Sequence, residues 1–196
     1  HDGTPFNAEA AKFNFELWMD PGNQRGSSAN IGEQLARVEA PDEFTLVLTL
    51  AEVNVFFLDE IATFGVCFGS PAGYQLYGED FTRNPVGTGP YKMGEWKENV
   101  SLKLVRNDDY QWGPPWAHNR GPGYADEYEA FEMPEVASKV AAYAANDLSF
   151  MNHYSLVDMQ PFFPDPAHQI FLALAPGQPW YLQSNSVNFP TDDIAV

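Results

Sequence analysis

The sequence predicts an α/β chain with a mixed β-sheet, because segments with the two-residue period of strands alternate with segments that read as helices. Its 196 residues are 44% hydrophobic and 15% aromatic, which is enough apolar material to form a packed core. No apolar run approaches the roughly 20 residues that span a bilayer. We therefore expect a globular α/β chain rather than a disordered one.

The first quarter of the chain is predicted to form one helix and one hairpin. Asn7 precedes an amphipathic stretch and is a preferred capping residue, so a capped helix is expected over residues 8–19. Residues 23–30 are small and polar and are expected to form a surface loop. Residues 35–40 and 44–50 alternate in hydrophobicity and predict an antiparallel hairpin.

Two short helices and a second hairpin are predicted next. Gly78 is expected to cap the second of these helices. The stretch NPVGTGPY at residues 84–91 carries two prolines and two glycines, so it predicts a sharp turn in which Gly87 and Gly89 adopt unusual φ values. The predicted elements are helices over residues 54–64 and 71–77 and strands over residues 91–96 and 100–106.

The rest of the chain begins with a long loop, residues 107–125, which is rich in Trp, Pro and Gly. Long ordered loops are often functional. Pro134 is expected to occupy the first position of a helix that runs to about Ala145, because its missing N–H is tolerated there. The other predicted elements are strands over residues 127–133, 148–151, 169–174 and 180–184 and a short helix over residues 155–160.

Charge and cysteine content exclude several classes of function. The formal net charge is −17, so binding to nucleic acid or to an anionic membrane surface is disfavoured. Cys67 is the only cysteine and lies among apolar residues, so we expect it to be a small buried hydrophobe. None of the four histidines has metal-ligand spacing, and no glycine-rich phosphate loop is present. We therefore expect no metal and no cofactor.

No catalytic motif emerges from the residues, so the chain is not expected to be an enzyme. A glycoside hydrolase would need two carboxylates across a cleft, and Asp and Glu are abundant without forming such a pair in a shared motif. A ligand-free interaction module is a second alternative. The aromatic residues of the long loop and of the C-terminal part are instead typical of ligand clefts.

Several motifs, taken in order, resemble the family 5 extracytoplasmic solute-binding proteins, the dipeptide-, oligopeptide- and nickel-type receptors of ABC importers. The motifs are HDGTPFNAEAAKFNFELW at the start, NPVGTGPY followed by two strands and RNDDYQWG, MPEVASKVAAYAANDLSF, and TDDIAV at the end. The chain departs from the family pattern at Asn146-Asp147, where Gly-Glu is usual, and at Ala10-Ala11, where Asp-Val is usual. These changes bear on the solute held rather than on the fold.

The resemblance implies a periplasmic-binding-protein-like fold of type II, cluster C, of which this chain is a lobe-one fragment. Residues 1–84 would form part of an accessory subdomain of lobe one. Residues 85–196 would form part of the main lobe-one domain, and lobe two would be absent. The implied function is the capture of a solute by closure of two lobes, with peptides as the first choice and an oligosaccharide or a nickel chelate as the alternative.

The resemblance also implies where a solute would bind and which partners are involved. Asn152 and His153 follow the strand predicted over residues 148–151, and strand carboxyl ends are where open α/β sheets bind ligands. Trp180, Tyr181 and Trp116 are the further ligand-binding candidates. The implied partner is an ABC permease in the membrane. The resemblance further implies a monomer that works in the periplasm or another extracytoplasmic space. A signal peptide is expected ahead of this segment.

Overall fold

A computed structural model describes residues 1–23, 27–62, 66–151, 157, 160–162 and 164 of the chain. The chain forms two compact units, His1–Met133 and Pro134–Val196. The domain boundary expected at residue 84 stays a prediction. The described elements are α1 (Ala8–Met19), α2 (Ser27–Glu33), β1 (Leu35–Asp42), β2 (Thr45–Leu50), α3 (Phe57–Ile61), α4 (Pro71–Tyr77), a 3₁₀ helix (Gly78–Thr82), β3 (Tyr91–Lys97), β4 (Ser101–Arg106), β5 (Glu127–Phe131), α5 (Val136–Ala144) and a 3₁₀ turn (Gln160–Phe162).

Helix α1 carries the main hydrophobic core of the first unit. It begins as predicted, since the Asn7 side chain accepts a hydrogen bond of 3.0 Å from the Ala10 N–H. Phe15 and Trp18 are buried on one face of the helix with their rings edge to face. The buried residues of this core are Phe15, Trp18, Ile31, Leu35, Val38 and Phe57.

Helix α2 lies where residues 23–30 were expected to form a loop, and that expectation is wrong for Ser27 onward. Ile31 is buried in the core. A Cβ added to Gly32 would lie 2.0 Å from the Trp18 carbonyl oxygen, so only glycine lets α2 approach α1 this closely. Tertiary packing, rather than local helix propensity, accounts for this helix.

The first hairpin is confirmed as the antiparallel pair β1–β2. Leu46, Leu48 and Leu50 face the core along β2, while the residues between them are exposed. Helix α4 is also confirmed, with Ser70 as its N-cap and Gly78 at its C-terminal end, where φ is +53°. Helix α3 has only five residues and is much shorter than the helix expected over residues 54–64.

Cys67 is exposed, and the expectation that it is buried is wrong. Its two neighbours, Val66 and Phe68, pack against the core of the first unit. In an extended segment successive side chains point to opposite sides, so the side chain between two inward-facing residues points outward. The apolar neighbours therefore indicated the burial of Val66 and Phe68, not that of Cys67.

A second, three-stranded sheet has the order β3-β4-β5 and is antiparallel throughout. Its first hairpin is the one predicted, and the turn contains Asn99 in a left-handed conformation, with φ of +58°. Charged side chains on one face of the sheet pair across strands, as between Lys103 and Glu127 at 2.7 Å. Both described sheets are antiparallel, so no parallel strand pair of the expected mixed sheet lies among the described residues.

The second unit contributes helix α5 to the described residues. It begins at Val136, with Glu135 as its N-cap, so Pro134 precedes the helix and does not occupy its first position as expected. Residues 148–151 are not a strand, and that prediction is wrong. Strand geometry needs a hydrogen-bonded neighbour, and none of the described strands pairs with these residues. Over the described residues, every helix falls short of the length and hydrophobicity that crossing a bilayer requires.

Candidate functional site

A groove of about 560 Å³ lies within the first unit, where three separate segments of the chain meet. The segments are the N-terminal turn, the turn at residues 84–91 with the start of β3, and the turn that follows β4. The lining residues are His1, Gly3, Thr4, Phe6, Thr88, Lys92, Asn107, Asp109 and Trp112. The groove therefore combines aromatic rings, hydroxyls and both signs of charge, as ligand sites often do.

The His1 imidazole joins the N-terminal turn to the NPVGTGPY turn. Its Nδ1 accepts a hydrogen bond of 3.4 Å from the Gly87 N–H, and its Nε2 lies 2.9 Å from the Gly89 carbonyl oxygen. Because that carbonyl only accepts, the ring is protonated on Nε2. Neither Gly87 nor Gly89 has a positive φ, so the prediction of unusual φ values is wrong. Hydrogen bonds to His1 fix this turn instead.

Hydrogen bonds to Asp2 connect the N-terminal turn with the start of helix α4. Its carboxylate accepts hydrogen bonds from the hydroxyl of Ser70, the N-cap of α4, and from the hydroxyl and N–H of Thr4. The Ser70 hydroxyl and then the Thr4 hydroxyl stabilise the ionised form and lower the pKa of Asp2 to about 2. The turn that carries Thr4 and Phe6 into the groove is thus held by an ionised carboxylate.

The third wall of the groove is positioned by Arg106, the last residue of β4. Its guanidinium donates a hydrogen bond of 2.7 Å to Asp108 and also pairs with Asp126. The hydrogen bond to Asp108 is the main cause that raises the pKa of Arg106. This arrangement fixes the turn that presents Asn107 on one side of Asp108 and Asp109 on the other.

The groove offers an ion pair and an aromatic surface. Lys92 Nζ lies 4.0 Å from Asp109 Oδ2, a loose pair that leaves both groups accessible. The Trp112 indole N–H donates to the Thr88 carbonyl oxygen at 2.8 Å, and its ring, which contacts Tyr110 edge to face, is about half exposed. No group of three or more metal-ligating side chains occurs among the described residues. The arrangement can hold a polar organic molecule.

Of the five predicted ligand-binding residues, Trp116 is the one that the structure describes, and it does not line this groove. Trp116 is 85% exposed on the loop of residues 107–125 and is not among the groove residues. Asn152, His153, Trp180 and Tyr181 lie outside the described residues. Their role in ligand binding stays a prediction.

Sequence reasoning missed the polar residues of the groove. His1, Lys92 and Asn107 are separated by 15 to 106 positions along the chain, taken from their residue numbers, and no local motif links them. The stretch NPVGTGPY was the available signal, because a turn so constrained by proline and glycine positions its flanking residues firmly. From the sequence alone, this stretch predicts a sharp turn and no contribution to a ligand site.

The sequence matches a model of a known protein family and two named relatives. A family model with the description "Bacterial extracellular solute-binding proteins, family 5 Middle" matches residues 1–196. The glutathione-binding protein GsiB of Escherichia coli is 34% identical over 113 residues, which are 58% of this chain and 22% of that protein. The protein of the same name from Pectobacterium atrosepticum is 33% identical over 110 residues, or 56% of this chain and 21% of that protein.

Solved structures show the same fold. MoaA of A. tumefaciens, a periplasmic binding protein in complex with mannopinic acid, aligns with a TM-score of 0.73 and 20% identity over 84% of this chain and 32% of that chain. DppA of Helicobacter pylori, in complex with the peptide STSA, aligns with a TM-score of 0.69 and 22% identity over 83% of this chain and 33% of that chain. The expected periplasmic-binding-protein-like α/β fold is confirmed. The chain spans about a fifth of the curated relatives and about a third of these structures.

Proposed function

The chain belongs to the bacterial extracellular solute-binding proteins of family 5, and from this premise we propose that it is part of the receptor of an ABC importer. The receptor captures a peptide or a similar small solute outside the cytoplasm and delivers it to a permease. The observation that carries the proposal is the family match, which extends over all 196 residues. The matched proteins are named for binding rather than for catalysis, which supports a receptor over a glycoside hydrolase.

The proposed solute class draws on the relatives. GsiB is named for glutathione, which is itself a tripeptide, and the DppA structure contains a peptide. MoaA contains mannopinic acid, and NikZ of Campylobacter jejuni contains a complex of nickel with L-histidine. Peptides are therefore the first choice, while nickel chelates and oligosaccharides are the alternatives within the same family.

The proposed mechanism is closure of two lobes around the solute. Contacts from both lobes favour the closed form, so solute binding shifts the population towards it. In this proposal residues 1–84 belong to the accessory subdomain and residues 85–196 to the main domain of lobe one. Asn152, His153, Trp180, Tyr181 and Trp116 are the residues that we propose to line the lobe-one side of the cleft.

The proposed setting is extracytoplasmic, with a monomeric receptor that a signal peptide directs across the membrane. An ABC permease is the proposed membrane partner, because a receptor that closes on its solute needs a transporter that recognises the closed form.

A ligand-free interaction module is the alternative function. Such a module would bind no small solute, so calorimetry with small solutes discriminates between it and a receptor.

The test uses the complete protein that the gene encodes. Isothermal titration calorimetry is run with di- and tripeptides, glutathione, mannopinic acid, a maltooligosaccharide and the nickel–histidine complex. We expect saturable binding of at least one peptide. Binding of the nickel complex or the oligosaccharide alone would replace the peptide assignment, and absence of binding to every probe would contradict the receptor function.

A further inference from the structure

The groove contains a buried hydrogen-bond acceptor that has no donor. Asn107 is only 3% exposed, and among the described residues its Oδ1 has no hydrogen-bond partner. Its Nδ2 donates to the Gly89 carbonyl oxygen at 3.3 Å, and its backbone N–H donates to the Pro90 carbonyl oxygen at 2.9 Å. Exchanging the amide oxygen and nitrogen would place two acceptors face to face, so the orientation is fixed.

An unpaired buried acceptor is unfavourable, and native proteins rarely retain one without a reason. Asn107 lines the same groove as Lys92 and Asp109, whose loose ion pair leaves a positive and a negative group accessible. The Asp109 side chain is 90% exposed. A molecule that brings an N–H donor, a carboxylate and an ammonium group would satisfy all three residues together.

Two aromatic side chains, Phe6 and Trp112, supply the apolar part of the groove. Phe6 and Trp112 are each about half exposed, and the Trp112 N–H is already bonded to Thr88, so the exposed part of its ring is what Trp112 can offer a ligand. A sugar could stack on Trp112 and bond to Asn107, but it carries no charge of its own to match Lys92 and Asp109. A small zwitterion with an apolar side chain matches both the charged and the apolar walls.

We propose that this groove is a binding site for a free α-amino acid with an apolar side chain. The carboxylate pairs with Lys92, the ammonium group donates to Asp109 and to Asn107 Oδ1, and the side chain packs between Phe6 and Trp112. All of these residues belong to the first compact unit. The site therefore goes beyond solute capture between two lobes and does not depend on it.

The test follows Trp112 in the complete protein that the gene encodes, labelled with ¹⁵N-tryptophan. L-Phenylalanine is titrated while the Nε1–H resonance of Trp112 is observed, and the Trp112→Phe variant identifies that resonance. We expect a saturable shift with a Kd on the order of 1 mM, the affinity of a small exposed site. Phenylethylamine, which lacks the carboxylate, and phenylpropionate, which lacks the amine, should each bind at least about tenfold more weakly.

The variants Lys92→Met and Asp109→Asn test the two charges. Each should weaken phenylalanine binding by about tenfold or more, while the matched control Lys97→Met, on the same strand and paired with Glu95, should leave the binding unchanged. The proposal is overturned if the Trp112 resonance does not move, if both single-charge analogues bind as well as phenylalanine, or if glucose shifts the resonance and phenylalanine does not. Calorimetry with peptides on the same protein reports solute capture separately, so failure of one proposal leaves the other measurable.

Discussion

The Asn14 side chain and the backbone of Gly69 form a reciprocal pair of hydrogen bonds. Asn14 Nδ2 donates to the Gly69 carbonyl oxygen at 2.8 Å, and Asn14 Oδ1 accepts from the Gly69 N–H, also at 2.8 Å. Asn14 is fully buried in α1, and its Nδ2 also donates to the Ala10 carbonyl oxygen. One side chain thus supplies the hydrogen-bond partners of both backbone groups of Gly69, while the next residue, Ser70, donates its N–H to the Val86 carbonyl oxygen.

Replacement of Asn14 by leucine is expected to lower the free energy of unfolding by about 2–3 kcal/mol, because the partly buried N–H and carbonyl groups of Gly69 both lose their partner. Urea denaturation of the protein measures this change. The control Asn30→Leu alters an exposed asparagine of α2 and should cost less than about 0.5 kcal/mol. Equal effects of the two substitutions would contradict the role assigned to Asn14.

The ionisation of Asp2 makes the stability of the folded protein depend on pH. Its pKa in the folded protein is about 2, below its ordinary value of 3.8, because the hydroxyls of Ser70 and Thr4 stabilise the carboxylate. A lowered folded pKa contributes stability that is present above the unfolded pKa and is lost as the pH falls through the folded one. The difference in Tm between the protein and its Asp2→Asn variant should therefore be largest above about pH 4 and shrink towards pH 2.

Thermal melts at a series of pH values from 2 to 7, on the order of half a unit apart, provide the measurement. Asp59→Asn, which removes an exposed carboxylate from α3, is the control and should not reproduce the effect. A Tm difference for Asp2→Asn that is constant over this range would show that Asp2 contributes through packing rather than through its charge.

Cys67 is expected to react with a thiol reagent while the protein is folded, since its side chain is exposed. Reaction with Ellman's reagent in native buffer and in urea compares the two states. The rate in native buffer should be within about tenfold of the rate in urea. The Cys67→Ser variant should lose this reaction and keep the same Tm. Reaction only after unfolding would mean that Cys67 is buried.

Gly32→Ala should destabilise the protein by at least about 2 kcal/mol, because the new methyl group would overlap the Trp18 carbonyl oxygen of α1. Gly22→Ala is the matched control, since an added Cβ there would meet only the Asp20 side chain at 3.3 Å, and that side chain can move. Chemical denaturation of both variants tests the packing of α2 on α1. A similar cost for the two glycines would contradict it.

Trp116 provides the test of the predicted solute site within the described residues. Trp116→Ala is expected to weaken solute binding by about tenfold and to leave the Tm unchanged, because its side chain is largely exposed. Tyr124→Ala is the matched control, an aromatic residue on the same loop that is also largely exposed. The affinities of both variants are measured by calorimetry. Equal affinities would contradict a role of Trp116 in solute binding.

Local sequence signals predicted the elements that depend on local interactions. Asn7 and Gly78 mark helix ends through hydrogen bonds and backbone conformations that involve only their neighbours, and both predictions are confirmed. Helix α2 and the exposure of Cys67 were missed because each depends on which side chains reach a distant core. The strand expected over residues 148–151 failed for the related reason that a strand needs a partner.

The groove could not be predicted because its residues come together only in the folded chain. Asn107 has no motif that marks its amide as buried and unpaired, and His1 bonds to a turn more than 80 residues away. The predicted ligand residues came instead from the family resemblance, which indicated the fold and the class of protein correctly. Family resemblance thus predicted more of the function than the individual residues did.

Small-angle X-ray scattering of the complete protein, with and without the peptide that binds in calorimetry, tests the receptor mechanism most directly. Closure of two lobes around the solute predicts a smaller radius of gyration in the bound state and a return to the larger value when the peptide is removed. An unchanged radius of gyration at saturating peptide would contradict capture by closure.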